Sequence, residues 1–220
     1  MSKIIVVKNI LDANDRIAEE NRKLFDNEKI YVLNLMSSPG AGKTSLVEKT
    51  IEALQERYKI GVIEGDIQGS SDAERIAKLG IPVVQINTGG ACHIDGNMVR
   101  EALPGLDLTS LDLLIVENVG NLVCPAEFKI GENVKVMVLS TPEGADKPAK
   151  YPLMFQQSEA MIINKIDLLP YVDFNMEKAK KDALTINRNL KIFEVSCKTS
   201  AGLNDWYGWL SDRIESFQTK

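Results

Sequence analysis

The chain has 220 residues, of which 44% are apolar, 26 are Lys or Arg and 31 are Asp or Glu. This length predicts one large domain with a sizeable core. The net charge of −5 argues against a protein that mainly binds nucleic acid. Three cysteines exclude a fully paired disulfide framework, and no apolar run is long enough for a membrane span. The sequence lacks a signal-peptide pattern, so we expect a cytoplasmic protein with reduced thiols.

Residues 8–29 are polar and charged, and no Pro or Gly interrupts them. Their apolar side chains have the spacing of one helix face: Ile10, Leu11, Ile17, Leu24 and Phe25. We therefore predict a helical extension over residues 1–29 that packs on the main domain. The alternative interpretation is a solvated arm.

Short apolar runs rich in Val or Ile then alternate with helical patterns. Seven runs are typical of strands buried on both faces of a parallel sheet: Tyr31–Met36, Ile60–Ile63, Val83–Ile86, Leu113–Val116, Val134–Leu139, Ala160–Ile163 and Ile192–Val195. Helices are predicted at Thr44–Arg57, Asp72–Leu79, about Ile94–Leu103, about Asn175–Arg188 and Leu203–Phe217. Ser71 and Glu74 form a predicted capping box at the start of the second of these helices, and Gly80 is predicted to end that helix. The alternation predicts a doubly wound α/β domain over residues 30–220, with a mainly parallel sheet of about seven strands.

A glycine-rich loop, Ser37-Ser38-Pro39-Gly40-Ala41-Gly42-Lys43-Thr44, lies between the first predicted strand and helix. This context is typical of a phosphate-binding loop, in which backbone N–H groups and the helix N-terminus face the phosphates. Lys43 would bind the β- and γ-phosphates, and the Thr44 hydroxyl would bind Mg²⁺. Ser37 stands where the pattern has its first Gly, and an accidental Gly-rich turn is the alternative. The predicted nucleotide-binding residues here are Gly40, Ala41, Gly42, Lys43, Thr44 and Ser45.

Two further strands end in carboxylates. Asp66 follows the second predicted strand and Glu117 the fourth, and strand ends of this kind open onto the ligand crevice of an α/β sheet. We predict that Asp66 and Glu117 assist catalysis with Lys43 and hold Mg²⁺, and that the Gly120 N–H senses the γ-phosphate. Asn121 stands where small signalling GTPases have a water-positioning glutamine, which predicts slow hydrolysis that relies on Asp66 or a partner. A solvated strand end is the alternative for either carboxylate.

A base-recognition loop follows the sixth predicted strand. Asp167 can accept from the N1–H and the exocyclic amine of guanine, whereas adenine has no donor at N1. The Lys165 stem can lie over the ring, and Asn164 ties the loop together. The segment Ser196-Cys197-Lys198 is similar to the second guanine loop of GTPases, with Cys197 as a small buried residue. The sequence therefore predicts a GTP site.

The remaining cysteines and the only histidine form a candidate metal set, with Cys92 beside His93 and Cys124 further along. Thiolate and imidazole suit Zn²⁺ or Ni²⁺ better than Mg²⁺. A closed tetrahedral site needs four ligands, so water, Asp95, Glu127 or a second copy of the chain would supply the rest. The alternative is that Cys92, His93 and Cys124 are unrelated residues that do not bind a common metal ion.

Cys124 lies four residues beyond Gly120, whose N–H we expect at the γ-phosphate. Loss of that phosphate would move the segment and change the metal affinity. We therefore predict that the nucleotide state and the metal affinity are linked.

In this order, the segments S-S-P-G-A-G-K-T, E-G-D-I-Q, N-T-G-G-A-C-H, E-N-V-G-N-L-V-C-P, N-K-I-D and S-C-K-T resemble the hydrogenase nickel-incorporation GTPases, the HypB family of SIMIBI-class P-loop GTPases. The resemblance implies a GTP-hydrolysing metallochaperone that dimerises with GTP and helps deliver nickel to the [NiFe]-hydrogenase large subunit, alongside a zinc-containing accessory protein. It implies that Cys92, His93 and Cys124 bind zinc or nickel at the dimer interface, and it implies no nucleic-acid or membrane partner. The sequence has no His-rich tract or Cys-rich motif near Met1, so we expect neither nickel storage nor a separate N-terminal nickel site.

Three other functions remain compatible with the sequence. The related urease-type nickel-chaperone GTPases carry a Cys-Pro-His triplet, whereas Cys92 and His93 adjoin here. A nucleotide-dependent small-molecule kinase would need an acceptor pocket. A non-catalytic, zinc-stabilised binding module would bind metal equally with GTP, GDP or no nucleotide.

Overall fold

The computed structural model describes residues 10–67 and 69–219. Its centre is one sheet of seven strands in the order β3-β2-β4-β1-β5-β6-β7. Every neighbouring pair of strands is parallel. The strands are β1 (Tyr31–Ser37), β2 (Ile60–Asp66), β3 (Val83–Asn87), β4 (Leu113–Glu117), β5 (Val134–Ser140), β6 (Ala160–Asn164) and β7 (Lys191–Glu194). The predicted doubly wound fold is confirmed.

The α-helices of the described residues are α1 (Ile10–Asn27), α2 (Lys43–Leu54), α3 (Ser71–Ala77), α4 (Gly96–Ala102), α5 (Cys124–Glu127), α6 (Lys147–Lys150), α7 (Pro152–Gln157), α8 (Met176–Ile186) and α9 (Leu203–Gln218). The five helices predicted in the main domain are all present. The predicted capping box is wrong, because Ser71 is already helical and Ser70 is the N-cap residue. The sequence analysis also missed α5, α6 and α7. These helices have only four to six residues each, too few to show a helical period.

The five inner strands are buried on both faces, as predicted. The outer strands β3 and β7 are only partly buried, which corrects that expectation for them. Each has a neighbour on one side only, so its side chains are less covered. On one face of the sheet, α2 and α9 pack on the core through buried residues such as Ile51 and Trp206. On the other face, α1 and α4 cover one half of the sheet and α7 and α8 cover the other.

Helix α1 confirms the predicted N-terminal helix for the residues described here, but Leu11 and Leu24 of the predicted apolar face are exposed. Ala18 and Phe25 are buried, and Phe25 joins the core beneath the sheet. Residues 1–9 of the predicted extension lie outside the described residues, and the boundary between residues 29 and 30 stays a prediction. No helix in the described part of the chain is long and apolar enough to cross a membrane.

The parallel arrangement gathers the loops that follow the strands at one edge of the sheet. Strand β1 lies between β4 and β5, so the chain order reverses beside it. Such a reversal opens a crevice at the carboxyl ends of the strands, where α/β proteins bind ligands. The segments that follow β1, β2, β3, β4, β6 and β7 all begin at this edge, and they carry the residues that the sequence patterns predicted for the site.

Candidate functional site

The loop between β1 and α2 has the backbone conformation of a phosphate cradle. Gly40 and Gly42 have positive φ angles of 74° and 96°, which residues with a side chain rarely adopt. A Cβ at Gly42 would lie 2.5 Å from Nδ2 of Asn164, so only glycine fits there. Lys43 Nζ donates to Ser37 Oγ at 3.0 Å. The serine at the first position of the loop is therefore compatible with its fold and orients the lysine.

Two buried glutamates lie at the base of this loop. Thr44 Oγ1 donates to Glu117 Oε1 at 2.9 Å. Glu64 and Glu117 are each only 2% exposed, and their Oε2 atoms have no hydrogen-bond partner. Burial, together with the neighbouring Glu117 carboxylate, raises the pKa of Glu64. Two unpartnered buried oxygens beside a threonine hydroxyl fit a hard cation such as Mg²⁺.

A third carboxylate, Asp72 of α3, lies within 4.8 Å of the Glu64 and Glu117 oxygens. The sequence patterns predicted a role for Glu117 but none for Glu64 or Asp72. A charged residue inside a strand predicted to be buried was the available signal for Glu64. Nothing local marks Asp72, because only the fold brings α3 beside β4.

Asp66 lines the same cleft, outside this carboxylate group. Its Oδ1 accepts the Ile67 N–H at 2.5 Å. Gly120 lies against the phosphate loop, since a Cβ there would be 2.8 Å from the Pro39 nitrogen. Arg75 also lines the cleft, which has a volume of about 450 Å³. The structure thus places Asp66 and Gly120 in one cleft with the predicted phosphate loop, and it adds Arg75, which no sequence pattern predicted.

A second cleft, of about 340 Å³, adjoins the first and shares Gly42, Ser45 and Lys165 with it. Its other lining residues are Asn164, Asp167, Leu168, Cys197 and Lys198. The two clefts lie side by side along these shared residues, an arrangement that suits one elongated ligand. All the predicted base-recognition residues except Ser196 line this second cleft.

Hydrogen bonds hold the second cleft in shape. Asn164 Nδ2 donates to the Ala41 carbonyl at 3.0 Å, and its Oδ1 accepts the Cys197 N–H at 3.2 Å. The buried Asn164 therefore connects the phosphate loop to the loop after β7. Ser196 Oγ donates to Asp167 Oδ1 at 2.6 Å, which orients the carboxylate towards the cleft. Burial raises the pKa of the Cys197 thiol to about 11, in keeping with an inert residue.

The third group consists of Cys92, His93 and Cys124, which one chain brings together. The two Sγ atoms are 2.8 Å apart, and Cys92 Sγ lies 3.7 Å from His93 Nδ1. The His93 ring stacks on Phe128 with centroids 3.8 Å apart. Burial lowers the pKa of His93 and so favours the neutral imidazole that binds metals. Two thiols and an imidazole at these distances can converge on a single soft metal ion.

Among the described residues, no carboxylate joins this group as a fourth ligand. Asp95 accepts the Met98 N–H at 2.8 Å as the N-cap of α4, so its carboxylate has another role. Asn121 donates to Cys124 Sγ at 3.8 Å and faces the thiol. The group therefore offers three ligands and leaves an open position.

Asn118 connects the Cys/His group to the phosphate end. Its buried Oδ1 accepts the N–H of Ile94, which follows His93, at 2.9 Å. Its Nδ2 donates to Asn34 of β1 at 3.1 Å. Asn118 directly follows Glu117, which accepts from Thr44 of the predicted phosphate loop. A single peptide bond therefore separates the residue that contacts this loop from the residue that contacts the Cys92-His93 segment. No sequence pattern predicted a role for Asn118.

Residues 31–194 match the family described as CobW/HypB/UreG, nucleotide-binding domain. The chain is 49% identical over 205 residues to "Hydrogenase maturation factor HypB" of Azotobacter vinelandii, which covers 93% of this chain and 68% of that protein. It is 48% identical over 201 residues to the Escherichia coli K12 protein of the same name, covering 91% and 69%. The Helicobacter pylori HypB structure, described as a complex with nickel, matches with a TM-score of 0.88 at 38% identity over 93% of this chain and 96% of that one. The chain therefore belongs to the HypB hydrogenase maturation factors, within the CobW/HypB/UreG nucleotide-binding family.

Proposed function

We propose that this protein is a GTP-hydrolysing metallochaperone that assists nickel insertion into [NiFe]-hydrogenase. One observation carries the proposal: a Cys/His/Cys ligand group is connected through Asn118 to the strand end that carries Glu117. The names of the relatives, hydrogenase maturation factors, and the nickel in the Helicobacter pylori structure support it.

The nucleotide of this proposal is GTP. The carboxylate of Asp167 accepts from the two guanine donors, and the Lys165 stem lies along the base. Lys43 binds the β- and γ-phosphates, and the Gly120 N–H faces the γ-phosphate. The adjacency of the two clefts supports this assignment, because a nucleoside triphosphate needs space for both a base and phosphates.

Magnesium would be held by Thr44 and Glu117, and it would neutralise charge on the phosphates. Asp66, the third residue predicted to hold Mg²⁺, lies outside the carboxylate group, so we assign it a place near the attacking water. The two unpartnered buried glutamate oxygens support a cation here. Lys43 would stabilise charge that develops on the transferred phosphate. Asn121 is engaged at Cys124, so hydrolysis depends on Asp66 or on a partner protein and is slow.

Nickel is the cargo, and zinc can occupy the same ligands. Cys92, His93 and Cys124 supply soft ligands, and water, Glu127 or a second copy of the chain completes the coordination. Asp95 is the weakest of the fourth-ligand candidates, since it caps α4. A GTP-bound homodimer would bring two such ligand sets together on a two-fold axis. The further partners in the cytoplasm are a zinc-containing accessory protein and the hydrogenase large subunit.

The test is sedimentation with metal analysis of the wild type and the Cys92→Ala variant, each with a GTP analogue or GDP. We expect a dimer with about one metal per chain in the GTP-analogue state of the wild type. Cys92→Ala should lose the metal and keep its nucleotide affinity, whereas Lys178→Ala, an exposed change on α8, should match the wild type. Equal metal affinities with the two nucleotides would refute the link between the sites.

A urease role is the second candidate, and one relative favours keeping it. The chain is 42% identical to a Helicobacter hepaticus protein named "Hydrogenase/urease maturation factor HypB", over 89% of this chain and 81% of that one. Expression in cells that lack their own factor separates the two roles: we expect restored hydrogenase activity, and restored urease activity alone would favour the second candidate. Phosphate transfer to a small molecule instead of water would indicate a kinase.

A further inference from the structure

Two buried asparagines of α1 contact the backbone on both sides of the metal group. Asn14 Oδ1 accepts the Gly96 N–H at 2.8 Å, and Asn14 Nδ2 donates to the Lys129 carbonyl at 2.8 Å. Asn21 Nδ2 donates to the carbonyls of Gly96 at 2.7 Å and Ile130 at 3.2 Å. Asn14 is 6% exposed and Asn21 is 2% exposed. Each side chain therefore joins the same two segments.

These segments carry the metal ligands. Gly96 follows His93 by three residues, and Lys129 follows Cys124 by five. The two segments come from different parts of the chain, after β3 and after β4, and their thiols meet at 2.8 Å. The hydrogen bonds of Asn14 and Asn21 to both segments therefore help to set the distance between the two thiols, although neither asparagine is a metal ligand.

The backbone of α1 also lies close to the backbone of both ligand segments. A Cβ at Gly96 would lie 3.2 Å from the Ala18 nitrogen, and one at Gly131 would lie 2.9 Å from the Ala18 oxygen. Gly131 also has a φ of 97°, and its carbonyl accepts from Arg22 at 2.9 Å. Helix α1 therefore lies directly on the backbone of both segments, at a glycine in each.

We propose that α1 is a clamp for the metal group, and that Asn14 and Asn21 are positioning residues that fix the distance between Cys92-His93 and Cys124. The proposal rests on the proposed metal function for its consequence, while the distance itself can be probed without metal. Loss of either amide leaves buried backbone groups without partners, and water or rearrangement must then satisfy them. The two ligand segments then lose contacts that fix their relative position, although the Asn118–Ile94 hydrogen bond and the His93–Phe128 stacking remain.

The first measurement is Co²⁺ binding, followed by the thiolate-to-cobalt absorption of the full chain. We expect Asn14→Leu and Asn21→Leu to bind Co²⁺ about 10- to 100-fold more weakly, the usual effect of losing groups that orient metal ligands. Asn14→Asp keeps the acceptor for Gly96 and loses the donor to Lys129, so it should lie between these variants and the wild type. GDP affinity should not change.

The matched control is Phe25→Leu, a change in the buried face of the same helix that leaves both asparagines in place. It should lower the stability of the helix contact and retain the Co²⁺ affinity and spectrum. An equal loss of Co²⁺ affinity in Phe25→Leu would mean that general destabilisation is responsible, and it would overturn the proposal. Circular dichroism of every variant checks that the fold is intact.

The second measurement uses metal-free protein and the oxidant diamide, which takes two hydrogens from Cys92 and Cys124 as they form a disulfide. We expect slower disulfide formation in Asn14→Leu and Asn21→Leu than in the wild type and Phe25→Leu. If the wild type binds no Co²⁺ but the oxidation rates differ in this way, the proposed metal function fails and the clamp remains. If the wild type binds Co²⁺ and the asparagine variants match it in both measurements, the clamp is overturned.

Discussion

The hydroxyl of Thr44 donates to the carboxylate of Glu117 at 2.9 Å, which ties the first turn of α2 to the end of β4. The second oxygen of Glu117 is buried and has no hydrogen-bond partner. A divalent cation would satisfy that oxygen and bind the same hydroxyl. The contact therefore lies where we propose that the phosphates and Mg²⁺ bind.

Replacing Glu117 by Gln tests this role. The amide oxygen can still accept from Thr44, so the fold should persist, but the charge that attracts Mg²⁺ is lost. We expect the gain in GTP affinity on adding Mg²⁺ to shrink about 10- to 100-fold, in line with the loss of a charged interaction of about 1.5–3 kcal/mol. Titration of a fluorescent GTP analogue with and without Mg²⁺ measures it. Exposed Glu159→Gln is the control, and an unchanged Mg²⁺ effect in Glu117→Gln would exclude the role.

Without nucleotide, the Glu64→Gln variant should be more stable than the wild type, and this difference in the free energy of unfolding should grow as the pH rises. Burial and Glu117 raise the pKa of Glu64, so the folded state keeps a proton that the unfolded state releases above about pH 4.5. Wild-type stability therefore falls as pH increases above that value. The variant avoids this cost, because its amide can donate to Glu117 at any pH. We expect it to be about 1–3 kcal/mol more stable at pH 7 and close to the wild type near pH 4.5.

Urea unfolding of both proteins between pH 4.5 and pH 8 measures this difference. The quantity of interest is the variant minus the wild type, since other titrating groups cancel in it. A difference that stays constant across the range would show that Glu64 does not hold the extra proton.

Asp167→Asn should change the base preference. An amide at this position no longer accepts from the guanine exocyclic amine, but it can donate to the carbonyl that xanthine has there. We expect GTP affinity to fall about 100-fold or more, and xanthosine triphosphate to become the preferred ligand. Competition against a fluorescent nucleotide measures both, with exposed Asp173→Asn as the control. Retained guanine preference would place base recognition elsewhere.

The three thiols should differ in reactivity. Cys197 is buried and its thiol pKa is raised to about 11, while Cys92 and Cys124 are half-buried. Alkylation of the metal-free protein with iodoacetamide at pH 8 should therefore modify the two half-buried thiols before Cys197, which should react only after unfolding. Mass spectrometry counts the adducts. Fast modification of all three would show that the guanine loop opens in solution.

The sequence predicted the parts of the site that consist of local patterns. Apolar runs identified the strands, and the residues that follow them identified the phosphate loop, the Asn164–Asp167 loop and Cys92-His93. Parallel strands bring such loops to one edge, so their assembly could be predicted as well.

The contacts that join these parts could not be predicted. Asn118 and Asn14 bind backbone groups far away in the chain, and no periodicity marks an asparagine for that role. Asp72 approaches Glu64 only because α3 packs beside the sheet. The short helix that begins at Cys124 has too few residues for a pattern. Long-range side-chain contacts therefore became visible only in the folded chain.

The adjacency of Glu117 and Asn118 also constrains how this chain can vary. Neighbouring residues of an extended backbone point in opposite directions. Here Glu117, the last residue of β4, contacts α2, and Asn118, just after the strand, contacts the segment before α4. An inserted or deleted residue in β4 would reverse both orientations at once. Single substitutions at this point can disable one site and spare the other. A change of length would disable both, so we expect β4 to tolerate no insertion or deletion ahead of Glu117 and Asn118 in any working variant.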